Sequence, residues 1–216
     1  MALITGALLT AEQFIGVLGA DSGAEASRIE DVINAASLMI ENYCERQFVT
    51  RGALTEYHSP LGPWTLYSKQ YPIISVTSIH ETLTRTYDAT TLLVENTDYV
   101  IESSDEGKII RVAGLTSGPM AWAIGYRTVK LIYAAGYKSP TGGAAGAALP
   151  DDLVAIARRL CARMWKEQER RQWDVQSQSD AAGNFQRFGP AMLLQAEKDA
   201  LGPYRQVRWA QAEVGA

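Results

Sequence analysis

The sequence predicts an α+β protein: a small α-helical bundle with an inserted antiparallel β region and an extended C-terminal segment. Two segments, one on each side of the chain's middle, carry apolar residues at the three-and-four spacing of a helix with one buried face. Between them, residues 48–137 break into short runs rich in Val, Ile, Thr and Tyr, with no helix-length periodic stretch. Strands that follow one another without intervening helices favour an antiparallel sheet over parallel βαβ units. Each long helix has a single apolar stripe and nothing nearby in sequence to cover it. The economical packing sets the two against each other and against a short first helix. The expected divisions are 1–46 for the N-terminal helices, 47–137 for the β insertion, 138–176 for a linker and the third helix, and 177–216 for a mobile hinge and docking segment.

The first helix is expected from Ala11 to about Leu18, started by the capping-box spacing of Thr10 and Gln13 and stopped by Gly19. The second runs from about Ala24 to Arg46, with Ile29, Val32, Ile33, Ala36, Ile40, Tyr43 and Cys44 on one face. Expected strands are Leu54–His58, Trp64–Tyr67, Ile74–Glu81, Tyr99–Glu102, Lys108–Val112 and Thr128–Ala134. Ser103-Ser104-Asp105-Glu106-Gly107 reads as a tight connection, with Gly107 free to take a positive φ. The Gly/Ala stretch 141–148 is the slack that returns the chain from sheet to bundle. Pro150, Asp151 and Asp152 then open the third helix, proline at no hydrogen-bonding cost and the aspartates favoured by the helix dipole. Leu153, Ile156, Ala157, Leu160, Cys161, Met164 and Trp165 form its stripe. Residues 177–184 are too polar to bury apolar area that offsets their ordering entropy. A last amphipathic piece spans Pro190–Leu201, ahead of a basic, aromatic end with no core of its own.

Charge is unevenly distributed. The formal net charge is -4, but residues 1–46 carry seven acids and two bases, whereas residues 138–216 carry nine acids and eleven bases. Ends of opposite sign attract within a subunit or between subunits. No segment is basic enough for a dedicated nucleic-acid binder. The N-terminus lacks the basic start of a signal peptide, and Glu12 and Gln13 interrupt its apolar run. No stretch has the ~20 uninterrupted apolar residues of a membrane span. Cys44 and Cys161, the two cysteines of the chain, have no metal-ligand spacing and read as buried, reduced thiols of a protein made in a reducing cytoplasm.

Residues that carry chemistry are few. His58 and His80 are the chain's two histidines; His80 stands beside Glu81, but adjacent strand residues point to opposite faces and are poorly placed to cooperate. Thr141–Gly146 is Gly-rich and precedes a helix, yet it lacks the P-loop pattern, and two aspartates stand where an anion would bind. No cofactor or metal site is expected. Arg158, Arg159, Arg163 and Lys166 on the third helix are candidates for contacts between subunits or with DNA phosphates, against the plainer reading of an exposed charged face. Trp122, Tyr126 and Tyr133 read as sheet core. Tyr204, Arg205, Arg208 and Trp209 are residue types that dominate protein–protein hot spots, and they are candidates for a docking tail. The alternative is a tail folded back on its own bundle.

Several stretches together resemble the head–tail adaptor (head-completion or connector) family of tailed bacteriophages, also found in gene-transfer particles. They are Ile40-Glu41-Asn42-Tyr43-Cys44-Glu45-Arg46-Gln47-Phe48, Tyr71-Pro72-Ile73-Ile74-Ser75-Val76-Thr77-Ser78-Ile79, Asp98-Tyr99-Val100-Ile101, Gly107-Lys108-Ile109-Ile110-Arg111, Val129–Tyr137, Leu149-Pro150-Asp151-Asp152-Leu153 and Leu201-Gly202-Pro203-Tyr204-Arg205-Gln206-Val207-Arg208. Each is made of packing and turn residues, so their order and spacing carry the weight. The resemblance implies a non-enzymatic virion protein in the neck between head and tail, assembled in the bacterial host cytoplasm. It implies a dodecameric ring beneath the portal that extends the DNA channel, with a C-terminal segment gripping the portal. The implied partners are the portal, a tail-side connector or stopper, copies of the same chain, and DNA passing without sequence-specific binding; no membrane is involved. Two other classes remain: a DNA-binding assembly protein using the arginine-rich third helix, and a small hydrolase using carboxylates of the β region.

Overall fold

The computed structural model describes residues 2–18, 25–62, 64–114, 118–142, 145–170, 177–179, 185–187 and 193–205. It is a mixed α and β structure with antiparallel sheets, and the chain divides into two compact units. One is helical, built from Met1–Glu45, Ser139–Gly143 and Ala148–Arg205; the other is the β unit, Arg46–Lys138 with Ala144–Ala147.

In the helical unit, α1 spans Ala11–Leu18, α2 Ala26–Cys44, α3 Asp151–Arg170 and α4 Gln195–Leu201. The expected capping box starts α1: Gln13 N–H donates to Thr10 Oγ1 at 3.1 Å, and Thr10 N–H donates to Gln13 Oε1 at 3.0 Å. Gly19 and Ala24, read as the stop of one helix and the start of the next, lie outside the described residues. At its other end α2 closes through Glu45 in the left-handed conformation, φ 55°, whose N–H reaches back to the carbonyls of Asn42 and Glu41. α2 packs on α3, and α1 packs on both. The stripes read from the sequence are the buried faces: Ile29, Val32, Ile33, Ala36, Ile40 and Cys44 on α2, and Leu153, Ile156, Ala157, Leu160, Cys161 and Trp165 on α3. Phe14 meets Trp165 edge to face at 6.3 Å. The segment before α1 is tied to α2 by polar contacts. Ile4 N–H donates to Asn34 Oδ1 at 3.0 Å, and Leu8 N–H donates to Ser37 Oγ at 3.0 Å.

Residues 193–205, within the segment expected to form a hinge and docking tail, carry the end of the expected amphipathic piece. Leu193 and Leu201 are buried, and Tyr43 Oη donates to the Lys198 carbonyl at 3.3 Å. The amphipathic piece is therefore part of the helical unit, because its two buried leucines offset the entropy of ordering seven helical residues and their flanks. The polar stretch read as a hinge contains a strand, β8 (Ser177–Ser179), paired antiparallel with β9 (Phe185–Arg187); residues 180–184 lie outside the described set.

The β unit holds seven strands among its described residues: β1 Ala53–His58, β2 Thr65–Tyr67, β3 Ile73–Glu81, β4 Leu92–Leu93, β5 Tyr99–Ser103, β6 Lys108–Arg111 and β7 Val129–Ala135. They form two antiparallel sheets, ordered β1-β7-β3-β4 and β2-β6-β5. β7 is central, and Val129, Leu131, Tyr133 and Ala135 alternate into a core with Leu66, Ile73, Ile79, Tyr99, Ile109 and Trp122. Gly107 turns β5 into β6 at φ 67°, as its position suggested, and a Cβ there would lie 2.2 Å from Ser68 Oγ. β4 was not expected. It follows a 3-10 turn, Ala89–Thr91, held by Asp88, whose carboxylate accepts from Thr90 N–H at 2.9 Å.

Candidate functional site

The basic face of α3 follows from its sequence. Arg159, Arg163 and Lys166 fall at spacings of four and three, so they share one side of the helix, with Arg158 beside them. Their environments separate them. Arg159 and Lys166 are exposed; Arg158 and Arg163 are half-buried. Arg163 donates through Nη1 and Nη2 to the two carboxylate oxygens of Glu197 on α4, at 2.8 and 2.7 Å. Glu197 is buried and also accepts from Leu194 N–H at 3.0 Å. Burial alone would raise its pKa, but the Arg163 guanidinium and the Leu194 N–H outweigh that and hold it below the usual carboxylate range. Arg163 thus fastens α4 to α3. Arg159 and Lys166 stand seven residues apart, about 10 Å along the helix at 1.5 Å per residue. Two exposed cations at that distance suit a polyanion or an acidic surface.

Of the tail candidates, Tyr204 and Arg205 are described, and Arg208 and Trp209 lie outside the described residues. Tyr204 Oη donates to the Asp152 carboxylate, 2.6 Å from Oδ1 and 2.8 Å from Oδ2. Asp152 also accepts from Leu153 N–H at 2.9 Å, so this carboxylate serves the start of α3 and a 3-10 turn, Gly202–Tyr204, together. The Arg205 guanidinium lies 5.3 Å from the Tyr43 ring centroid. Tyr204 and Arg205 thus contact α3 and α2 of the helical unit.

In the β unit His80 and Glu81 face different partners, as adjacent strand residues must. Glu81 Oε2 accepts from Arg111 Nε at 2.9 Å and Oε1 from Ala123 N–H at 2.7 Å. Arg111 also donates to the carbonyls of Asp98 and Val112 and joins β6 of one sheet to β3 of the other. His80 Nδ1 lies 3.1 Å from the Asp88 carbonyl oxygen and 3.2 Å from Thr91 Oγ1. A second group in the β unit was not expected from the sequence. Glu56 and His58, two apart on β1 and so on one face, lie 2.9 Å apart, and Glu56 accepts from Tyr133 Oη and from Lys69 N–H at 3.1 Å. Burial raises the Glu56 carboxyl, and the His58, Tyr133 and Lys69 contacts more than reverse this. Burial beside that carboxylate pushes the Tyr133 hydroxyl well above the usual phenol range. The spacing Glu56-x-His58 was the available signal; Tyr133 is distant in sequence.

Trp122 and Tyr133 are core residues, but Tyr126 is 68% exposed, because it sits in the turn before β7 rather than on a strand. Cys44 and Cys161 are buried thiols, and burial pushes the Cys161 thiol up to about 12. Among the described residues no group of His, Cys, Asp and Glu side chains is placed to hold a metal ion. Among the same residues no helix is long and apolar enough to cross a membrane.

No family model matches the sequence. No curated protein matches it either. Solved structures do. A chain in the neck of the empty gene transfer agent particle, computed with C6 symmetry, is 19% identical with a TM-score of 0.57, over 96% of this chain and 94% of that one. A chain in the virion of the native gene transfer agent particle gives 19% and 0.55 over 96% and 94%. A chain in the native particle's neck, computed with C12 symmetry, gives 19% and 0.53 over 96% and 93%. At this identity the likeness establishes a shared fold across nearly the whole chain.

Proposed function

We propose that this chain is a structural virion protein, a head–tail adaptor that works in the neck. It forms a ring below the portal, extends the DNA channel and gives the tail its attachment site. The observation that carries this reading is the fold shared over 96% of the chain with a chain of the gene transfer agent neck computed with C12 symmetry. The order and spacing of the motifs from Ile40 to Arg208 support it independently. The reading is non-enzymatic. The helical unit acts as a small bundle, the ring is dodecameric, and assembly takes place in the host cytoplasm. Its partners are the portal, a tail-side connector or stopper, neighbouring copies, and DNA contacted without sequence preference. Arg159 and Lys166, exposed on α3, face either DNA or a neighbouring subunit.

Portal docking through Tyr204, Arg205, Arg208 and Trp209 is part of the proposal. Tyr204 and Arg205 are engaged with Asp152 and Tyr43, so docking through them exchanges those contacts for portal contacts. Arg208 and Trp209 carry the larger share. Electron microscopy of the purified protein mixed with its portal is the test. A ring of this chain on the portal, lost when the chain is cut after Arg205, is the expected result; a portal left bare by the full-length chain overturns the reading.

A second reading, a DNA-binding assembly protein, is favoured by the exposed pair Arg159 and Lys166. A gel shift with duplex DNA that weakens steeply with salt and is lost in Arg159→Ala with Lys166→Ala supports it over the adaptor.

A further inference from the structure

The two ends of the four-stranded sheet differ in chemistry. At one end β7 begins: Val129 pairs with His58 of β1 and Glu81 of β3. Here the turn at 125–127 brings Tyr126 and Arg127 beside Tyr57 and Tyr87. The Arg127 guanidinium lies 4.6 Å from the Tyr57 ring centroid and 5.8 Å from that of Tyr126. Tyr57 and Tyr87 are 5.6 Å apart, Lys130 Nζ is 5.4 Å from the Tyr87 ring, and the Tyr87 hydroxyl donates to the Arg127 carbonyl. Arg85 adds a further charge near Tyr87; of the acids at this end, Asp88 accepts from Thr90 N–H and Glu81 is paired with Arg111. Ile124 is 63% exposed, and its side chain lies against Gly62. Among the described residues the Arg127 guanidinium has no hydrogen bond and no ion pair.

At the other end Ile73 pairs with Ala135, and Ile73 N–H donates to the Ser104 carbonyl at 2.8 Å. That contact fixes the tip of the β5–β6 hairpin there. The tip exposes Glu102, Asp105 and Glu106, with Lys108 paired to Glu102 at 2.5 Å. The seven residues of β7 separate the two ends by about 20 Å at ~3.3 Å per residue, so the acidic tip and the aromatic–arginine cluster cannot meet on one molecule.

We propose that they meet between molecules: the acidic tip at Asp105–Glu106 of one copy docks on the Tyr57–Tyr126–Arg127 cluster of the next. Three features point to this occupant. Tyrosine, arginine and exposed apolar side chains around an unpaired guanidinium are the composition of an interface hot spot. Arg127 already covers faces of the Tyr57 and Tyr126 rings, so it offers donors for a carboxylate rather than open rings for stacked bases. Complementary patches at opposite ends of a unit make a head-to-tail contact, the type that closes into rings, whereas two-fold pairing would set the cationic cluster against itself. The proposal rests on the reading of the chain as a ring-forming neck protein and names a surface that builds the ring.

The test traps the contact in the full-length chain. Asp105→Cys and Tyr126→Cys variants, mixed and oxidised, should give a disulfide-linked dimer, and the double variant a ladder of covalent oligomers. Each single variant alone should give background. Cys44 and Cys161 are buried and should not contribute. Arg127→Glu should lower the trapped yield about tenfold, and Glu106→Lys on the facing copy should recover much of it. Cross-links no greater than those of the single variants, or a ladder indifferent to Arg127→Glu, overturn the proposal. So does an absent ladder alongside a single-stranded oligonucleotide that binds and is weakened by Arg127→Glu, which makes the cluster a nucleic-acid site. A ring seen on the portal without the ladder sinks this interface and leaves the neck reading standing.

Discussion

Arg163 of α3 and Glu197 of α4 form a two-pronged ion pair, 2.8 and 2.7 Å, with the carboxylate buried and the guanidinium half-covered. Charge on the basic helix is thereby committed within the subunit. It holds the segment expected to swing free.

Glu197→Ala should therefore destabilise the helical unit by about 2 kcal/mol, between the values for exposed and fully buried pairs. Cutting the chain after Gln176 removes Glu197, Leu193 and Leu201 together and should cost more. A cut after Arg205 should leave the melting temperature almost unchanged. Thermal unfolding followed by circular dichroism distinguishes the three; equal melting for the 176 cut and the full chain would show that α4 contributes nothing.

The same carboxylate sets an acid limit. Its folded pKa lies below its ordinary value of 4.5, so its stabilisation is present in full above pH 4.5 and is lost as pH falls through the folded value. Glu56 in the β unit behaves in the same way. Stability should fall steeply below about pH 4, and Glu197→Gln should flatten part of that fall in denaturant titrations. A pH dependence identical to that of the unmodified chain argues against the pair.

In the β unit Tyr133 Oη donates to Glu56 and accepts from Gln70 N–H at 3.0 Å. Tyr133→Phe leaves the half-buried Gln70 amide and one carboxylate oxygen short of a partner, and it should cost about 1–3 kcal/mol with the sheet intact. Urea unfolding monitored by tryptophan fluorescence measures it, and Trp122 in the same core is a natural reporter.

Gly136 and Gly52 separate backbone strain from collision. Both have positive φ, 115° and 104°, but a Cβ on Gly136 would lie 2.8 Å from the Phe48 carbonyl oxygen, and one on Gly52 meets nothing within 4 Å. Gly52→Ala should cost about 1 kcal/mol from φ alone, and Gly136→Ala at least twice that, because backbone rather than a side chain must move. Comparable melting temperatures for the two variants would mean that the backbone around Gly136, where Val49 and Tyr137 form a parallel bridge, yields at no cost.

The sequence alone determined the periods. Three-and-four spacing marked both helical stripes, a short run rich in Val, Ile and Tyr marked the strand that became β7, and Thr10 with Gln13 marked the start of α1. These are local: each follows from which side chains a helix or strand can place on one face. The α+β class, the antiparallel pairing and the positive φ of Gly107 belong with them. Tertiary structure decided which of several chemically equivalent residues are used. Nothing in the chain distinguishes Arg163 from Arg159 until α4 brings Glu197 to one of them, 34 residues away. Asp152 looked like a dipole-favoured helix start, and it is that, but its second role needs Tyr204 from 52 residues on. Glu56 and Tyr133 meet across 77 residues, because β1 and β7 are neighbours in a sheet order that local patterns do not encode. Burial and pairing depend on what arrives opposite a side chain, and only the folded chain brings those partners together.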